Sequence, residues 1–324
     1  MKLTRRKLIV LGTAGLLGGG WYLAVREGDY SGPVPKKRYI DMHRHLVPGP
    51  FSLGKSTESQ IESTLRWMAA HNVEQSVIQM AVYIDENEPY DSAAVRRQLD
   101  LLHPHGNALV PFIAMHPNTP HSHTELLEIF AEVKEQGVLG FGEFKIKDFA
   151  VNDRKCMALY AACEEAGLPV LIHIDHKHCY DVPGLPGLED VLKTFPNHTF
   201  VGHAQGWWAS ISTDPQEQDD LGDRPKTPIQ PGGAIQRLMD TYPNLYGDLA
   251  ASSGLNAVTR DPAYTTSFFE KYQDRLMFGT DTAAVLIKNW GHFEVYEALD
   301  MPEPIESMIL RANARRTFRL PSLG

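Results

Sequence analysis

The stretch Tyr39-Ile40-Asp41-Met42-His43-Arg44-His45 decides the fold. It is a short apolar run that ends on two histidines spaced i and i+2. In an extended strand those positions face the same side, so His43 and His45 aim together. Seven further runs follow, at 76–82, 108–115, 138–146, 169–174, 199–203, 245–249 and 275–279. They are rich in Val, Ile, Leu and Phe and are short, the pattern of parallel strands buried on both faces. The stretches between them have helical spacing. Thr57–His71 carries Ile61, Leu65 and Met68 on one face, and Ser92–Leu102, 121–136, 153–166, 187–194, 234–240 and 266–272 follow the same logic. Residues 304–319 read as a closing helix. Strand and helix alternating eight times predict an α/β fold, a (β/α)₈ TIM barrel in which residues 38–324 form a single domain. The alternative, an open doubly wound sheet, is announced by G-x-G-x-x-G after the first strand, and no such sequence follows residue 43.

The composition agrees with a globular domain. Of 324 residues, 43% are hydrophobic and 22% charged, which excludes wholesale disorder and a polytopic membrane protein. The formal net charge is −9. Four of the 31 basic residues (Lys2, Arg5, Arg6, Lys7) lie at the extreme N-terminus. The body therefore carries 27 basic against 40 acidic side chains, or −13. That balance excludes a protein that coats nucleic acid. The three cysteines, Cys156, Cys163 and Cys179, fit neither a disulfide framework nor a zinc knuckle. Cys156 and Cys163 lie i and i+7 apart on one helix face and read as core packing.

The N-terminus reads as an address. Thr4-Arg5-Arg6-Lys7 precedes an uncharged run, 8–25, diluted by five glycines. A basic pair before a moderately apolar stretch predicts a twin-arginine signal over residues 1–25, then a linker over 26–37. No clean small-residue cleavage site follows, and the run borders on the length of a membrane span. The expectation is thus a protein exported to the periplasm, or anchored through residues 8–25 at the outer face of the inner membrane.

The chemistry collects at the ends of the expected strands. The first ends on His43 and His45, the fifth on His173, the sixth on His203, and the eighth runs into Asp281. Barrel enzymes keep their chemistry at those C-terminal ends. Four imidazoles and a carboxylate converging on one mouth would be costly to bury without a partner. Nitrogen and oxygen donors of this kind suit Zn²⁺ or a similar first-row metal, as one or two ions.

These residues, in this order, resemble the metal-site pattern of the amidohydrolase superfamily. The resemblance spans about residues 38–320 and is nearest to the amidohydrolase-2 branch, which holds aminocarboxymuconate semialdehyde decarboxylase and related hydrolases. It implies that His43, His45, His173 and Asp281 ligate a metal. His203 would ligate a second ion or, with one ion, hydrogen-bond the substrate. In the fourth strand, Gly140-Phe141-Gly142-Glu143-Phe144-Lys145, Glu143 resembles the glutamate ligand that some members use there, with a supporting role behind the ligands as the other reading. Lys145, on the same face, could be carboxylated, bind an anionic substrate or neutralise Glu143, and is not expected to be a ligand.

Other polar residues read more plainly. Arg44 alternates outward and is expected to pair with a helix acid. Asp41 either holds a ligand histidine in its tautomer or caps a strand end. His116 ends the third strand, between a pocket role and packing. His176, His178 and Cys179 read as loop residues. Trp207-Trp208 leads into a long polar insertion, 210–233, placed to act as a lid over the mouth. The two tryptophans either wall the pocket or pack behind it.

The expected reaction is metal-assisted hydrolysis of an ester, lactone or amide of a small molecule, at neutral pH. Asp281 takes a proton and returns it to the leaving group, and His203 polarises the carbonyl. A non-oxidative decarboxylase is the alternative, and Lys145 keeps it open. A TatD-like phosphodiesterase is disfavoured by the acidic body.

Overall fold

The structure, a computed structural model, describes residues 34–47, 52–80, 90–119, 121–283 and 291–322. The expected signal, 1–25, and most of the expected linker lie outside the described residues. No helix among the described residues is long and apolar enough to cross a membrane.

Among the described residues, nine parallel strands form one sheet. They are β1 (Tyr39–Leu46), β2 (Val73–Met80), β3 (Leu109–Ile113), β4 (Gly140–Phe144), β5 (Val170–His173), β6 (Phe200–His203), β7 (Leu245–Asp248), β8 (Leu276–Met277) and β9 (Thr282–Ala283). Their order is β8-β7-β6-β5-β4-β3-β2-β1-β9. The eighth expected strand is therefore two short pieces. The first pairs with β7 and the second with β1. Between the pieces, Met42 N donates to Phe278 O and Asp281 N to His43 O. The chain from Leu276 to Ala283 thus bonds both ends of the strand row, consistent with a (β/α)₈ barrel. It breaks because its middle must bend around the site instead of continuing the ladder.

Helices cover the outside. α1 (Thr57–His71) and α2 (Ser92–Leu102) have the predicted bounds, because Ser56 and Asp91 cap their first turns with side-chain oxygens. α3 (His123–Glu135), α4 (Arg154–Ala166), α5 (Pro186–Thr194) and α7 (Ala234–Thr241) lie within two residues of expectation. α9 (Pro262–Tyr272) begins earlier than predicted, since Asp261 accepts from Tyr264 N and Pro262 suits the first turn. Three short helices had no sequence signal: α6 (Ala204–Ala209), α8 (Ala251–Thr259) and α10 (His292–Ala298). The closing helix is continuous from Glu303 to Thr317 but contains a π-helical turn, Met308–Ala312, between α11 (Glu303–Ser307) and α12 (Asn313–Thr317).

Two cores result. The larger lies between strands and helices and holds Cys156, Cys163 and Cys179, all buried free thiols. The smaller is built from Ile40, Met42, Val77, Val110, Leu171, Val201 and Met277 and fills the inside of the strand row. β1 has an irregular register between Asp41 and Arg44. Such an extra residue re-aims the side chains beyond it. Ile40 and Met42 belong to the inner core, and His43 and His45 then meet the pocket from the same strand.

Candidate metal centre

The expected site residues lie at, near or just beyond the C-terminal ends of their strands. His43 and His45 lie near the end of β1, Glu143 near that of β4, and His173 and His203 close β5 and β6. Asp281 sits in the bend between β8 and β9. In β4, Phe141 and Phe144 both face the outer core, and the register shift between them turns Glu143 inward.

The six side chains meet. His43 Nε2 lies 3.1 Å from His45 Nε2, 3.8 Å from Glu143 Oε2 and 3.6 Å from Asp281 Oδ1. His45 Nε2 is 3.0 Å from Asp281 Oδ1 and 3.4 Å from Glu143 Oε2. Across the pocket, His173 Nδ1 is 2.5 Å from Glu143 Oε1, and His203 Nε2 is 3.6 Å from the same oxygen. His203 Nε2 lies 3.9 Å from Asp281 Oδ2. Within these six side chains two donor groups emerge, His43–His45–Glu143 and Glu143–His173–His203, with Glu143 common to both. Ligands about 2.0–2.2 Å from a tetrahedral ion lie roughly 3.3–3.5 Å apart. Most separations here fall near that value, so the residues fit one or two divalent ions.

The charges are arranged to stay charged. Burial alone would raise the Glu143 pKa, but Lys145 and His173 hold it well below the usual carboxylate range. Asp281 is likewise held low, because His43 and His45 outweigh its burial. Its side chain is 26% exposed, the most open of the six. Burial would depress the His43 pKa, but the adjacent Asp248 carboxylate lifts it well above the ordinary value.

Three residues of this cluster had not been singled out from the sequence as members. Asp248 ends β7 and touches both His43 Nδ1, at 2.7 Å, and His203 Nδ1, at 2.8 Å. The strand-end rule that found the histidines points to it as well. Asp175 follows β5 and accepts from His173 Nε2 at 2.9 Å, from Gln205 at 3.1 Å, and from the backbone of Lys177 and His178. His178 Nδ1 is 3.0 Å from the same carboxylate, so this loop histidine belongs to a His173–Asp175–His178 group, and Asp248 makes another with His43 and His203. No local sequence signal marks Asp175 or His178.

One expectation needs correction, and several open readings are narrowed. Among the described residues Arg44 pairs with no helix acid. It is buried, with its guanidinium 3.9 Å above the Trp67 ring and hydrogen bonds to Thr64 and Thr282. The outer side of β1 is packed under α1, which leaves room for a flat cation on an aromatic ring. Among the described residues no imidazole ring bonds to Asp41. It accepts from Thr280 N, Thr280 Oγ1 and His43 N, which ties β1 to the β8–β9 bend. His116 packs edge-on against Phe149 and accepts from Asn118 N. Trp207 and Trp208 pack behind β6. A Cβ on Gly202 would lie 2.5 Å from the Trp207 ring, and Trp208 Nε1 donates to Asp248 O. The 210–233 insertion leans on the loop after β5, where Gln218 donates to His176 O and Gly222 sits against the His176 ring.

A parallel α/β sheet with a His/carboxylate cluster at its C-terminal strand ends defines a class of metal-dependent enzymes. The amidohydrolase family model matches residues 40–320, and the chain belongs to that family, in its amidohydrolase-2 branch. A search of curated proteins finds no match. Among solved structures, a putative 2-pyrone-4,6-dicarboxylic acid hydrolase from Pseudomonas putida is similar, with 16% identity and TM-score 0.55 over 88% of this chain and 99% of that one. The 2,6-dihydroxybenzoate decarboxylase from Rhizobium has 15% identity and TM-score 0.52 over 88% and 99%. The 5-carboxyvanillate decarboxylase from Novosphingobium aromaticivorans, in complex with manganese and 4-hydroxy-3-methoxy-5-nitrobenzoic acid, has 12% identity and TM-score 0.54 over 88% and 97%. At these identities the likeness is one of fold.

Proposed function

We propose that this chain is a metal-dependent hydrolase of a small ester, lactone or amide, with His43, His45, Glu143, His173, His203 and Asp281 as the metal-binding set. The observation that supports it best is Asp281. It is an ionised carboxylate at the open side of the cluster, 3.0 Å from His45 and 3.6 Å from His43. A divalent ion in this set supplies Lewis acidity and hydroxide at neutral pH. Asp281 accepts the proton at a carboxylate oxygen and returns it to the leaving group. His203 Nε2 completes a second ion's ligands or, with one ion, hydrogen-bonds the substrate carbonyl. Zinc suits these donors, and manganese, present in one fold neighbour, is the other ion to load.

A second reading is non-oxidative decarboxylation. It is favoured by Lys145, whose charge acts on Glu143 within the cluster and could face a substrate carboxylate. Two of the similar structures are decarboxylases. The test is a panel of aryl esters, lactones, amides and hydroxylated benzoates, offered to protein loaded with Zn²⁺ or Mn²⁺. Acid release without CO₂ supports hydrolysis, CO₂ release supports the second reading, and inertness to the whole panel counts against both. We also propose export by the twin-arginine route, on Arg5-Arg6 and the run that follows.

A further inference from the structure

The β7 residue Asp248 occupies an unusual position. Its carboxylate is fully buried, and one oxygen, Oδ2, lies 2.7 Å from His43 Nδ1 and 2.8 Å from His203 Nδ1. The two rings stand 4.3 Å apart between centroids. The other oxygen, Oδ1, accepts from Ala250 N at 2.9 Å, and Trp208 Nε1 holds the Asp248 carbonyl at 2.8 Å. The side chain is thus fixed from behind while one oxygen serves two imidazoles. The contact with His43 is a well-formed hydrogen bond. That with His203 is close but off the line of a good one. Both rings then turn Nε2 towards Glu143 and Asp281.

Gly279 makes the arrangement fit. A Cβ there would lie 2.7 Å from Asp248 Oδ1 and 3.1 Å from His43 Cβ. The glycine in the β8–β9 bend therefore leaves the space in which the carboxylate reaches the rings.

We propose that Asp248 is a positioning residue shared by two ligands: it keeps a proton on Nδ1 of both His43 and His203, so that both present Nε2 to the metal position. The proposal rests on the metal-centre reading above. A carboxylate behind a ligating histidine fixes its tautomer and orientation, and losing one weakens metal binding by about 10–100-fold. Here one carboxylate does this for ligands from two different strands, β1 and β6.

The experiment measures zinc affinity of the purified chain by chelator competition, with the tautomers read by long-range ¹H–¹⁵N NMR. Zinc is the probe because it is diamagnetic. Asp248→Asn should bind zinc about 10–100-fold more weakly while its circular dichroism stays that of the wild type. Gly279→Ala, which keeps the charge but crowds it, should weaken zinc in the same direction. A purely structural role would lower the melting temperature and leave zinc affinity unmoved, and that result in a folded Asp248→Asn overturns the proposal. Should that variant fail to fold, the wild-type spectra decide: protons on Nδ1 of both rings support the proposal, and a bare Nδ1 on either overturns it. A wild type that binds no zinc or manganese would instead sink the metal-centre reading. The metal-free spectra would still report whether Asp248 holds the two Nδ1 protons.

Discussion

Asp281→Asn separates proton transfer from metal binding, and the structure says why asparagine is the substitution to make. Asp281 has φ 54°, in the left-handed region that asparagine tolerates better than most residues. Its backbone N–H donates to His43 O at 2.8 Å, a bond the change leaves intact. Asparagine keeps the shape and one oxygen beside His45 Nε2, but takes no proton at neutral pH. If Asp281 is the proton acceptor, kcat should fall by about 10²–10⁴, the usual scale for general acid–base catalysis. That loss corresponds to roughly 3–5 kcal/mol of transition-state stabilisation. Metal content should fall much less, because His43, His45, Glu143, His173 and His203 still face the pocket. The assay is kcat on whichever substrate the panel yields, beside metal per chain by elemental analysis. A variant with near-wild-type turnover and full metal refutes the proton-transfer role. Equal loss of metal and turnover would make Asp281 a ligand first.

Three further outcomes are expected. Replacing His43 and His45 together by Ala should remove bound metal, since two donors of one group come from β1; wild-type stoichiometry in the double variant would place the site elsewhere. His198 is buried before β6, and its burial lowers its pKa to about 4. The unfolded chain therefore binds the proton more readily, so stability is full above about pH 6.5 and falls as pH drops towards 4. Urea unfolding should lose roughly 2–3 kcal/mol from this group between about pH 7.5 and 4.5. His198→Leu should show a correspondingly shallower pH dependence, and an unchanged one would exclude His198 as the cause. Finally, Arg5→Lys with Arg6→Lys should hold the protein in the cytoplasm, and normal export of that variant would discard the twin-arginine assignment.

The sequence by itself determined the order of strands and helices. Strands buried on both faces must be short and apolar, and capped helices must begin at residues such as Ser56 and Asp91. It also pointed to six residues that the structure brings together, because a polar side chain at or just beyond the end of an apolar parallel strand is placed at the mouth. Residues 1–25 carry an expected export address, and with residues 26–33 of the expected linker they lie outside the described residues. Tertiary structure decided what depends on several strands at once. The register shift in β1 lets Met42 fill the inner core while His43 and His45 line the pocket. The break between β8 and β9 sets Asp281 opposite them. Arg44 found a ring and two hydroxyls in place of an acid, since α1 presents Trp67 and Thr64 at that height. The grip of Asp248 on two histidines from β1 and β6 needs β7 and a bare Gly279 beside it. Hydrophobic periodicity is local and leaves its mark along the chain; the pairing of one carboxylate oxygen with two distant rings is set only when the strands are brought side by side.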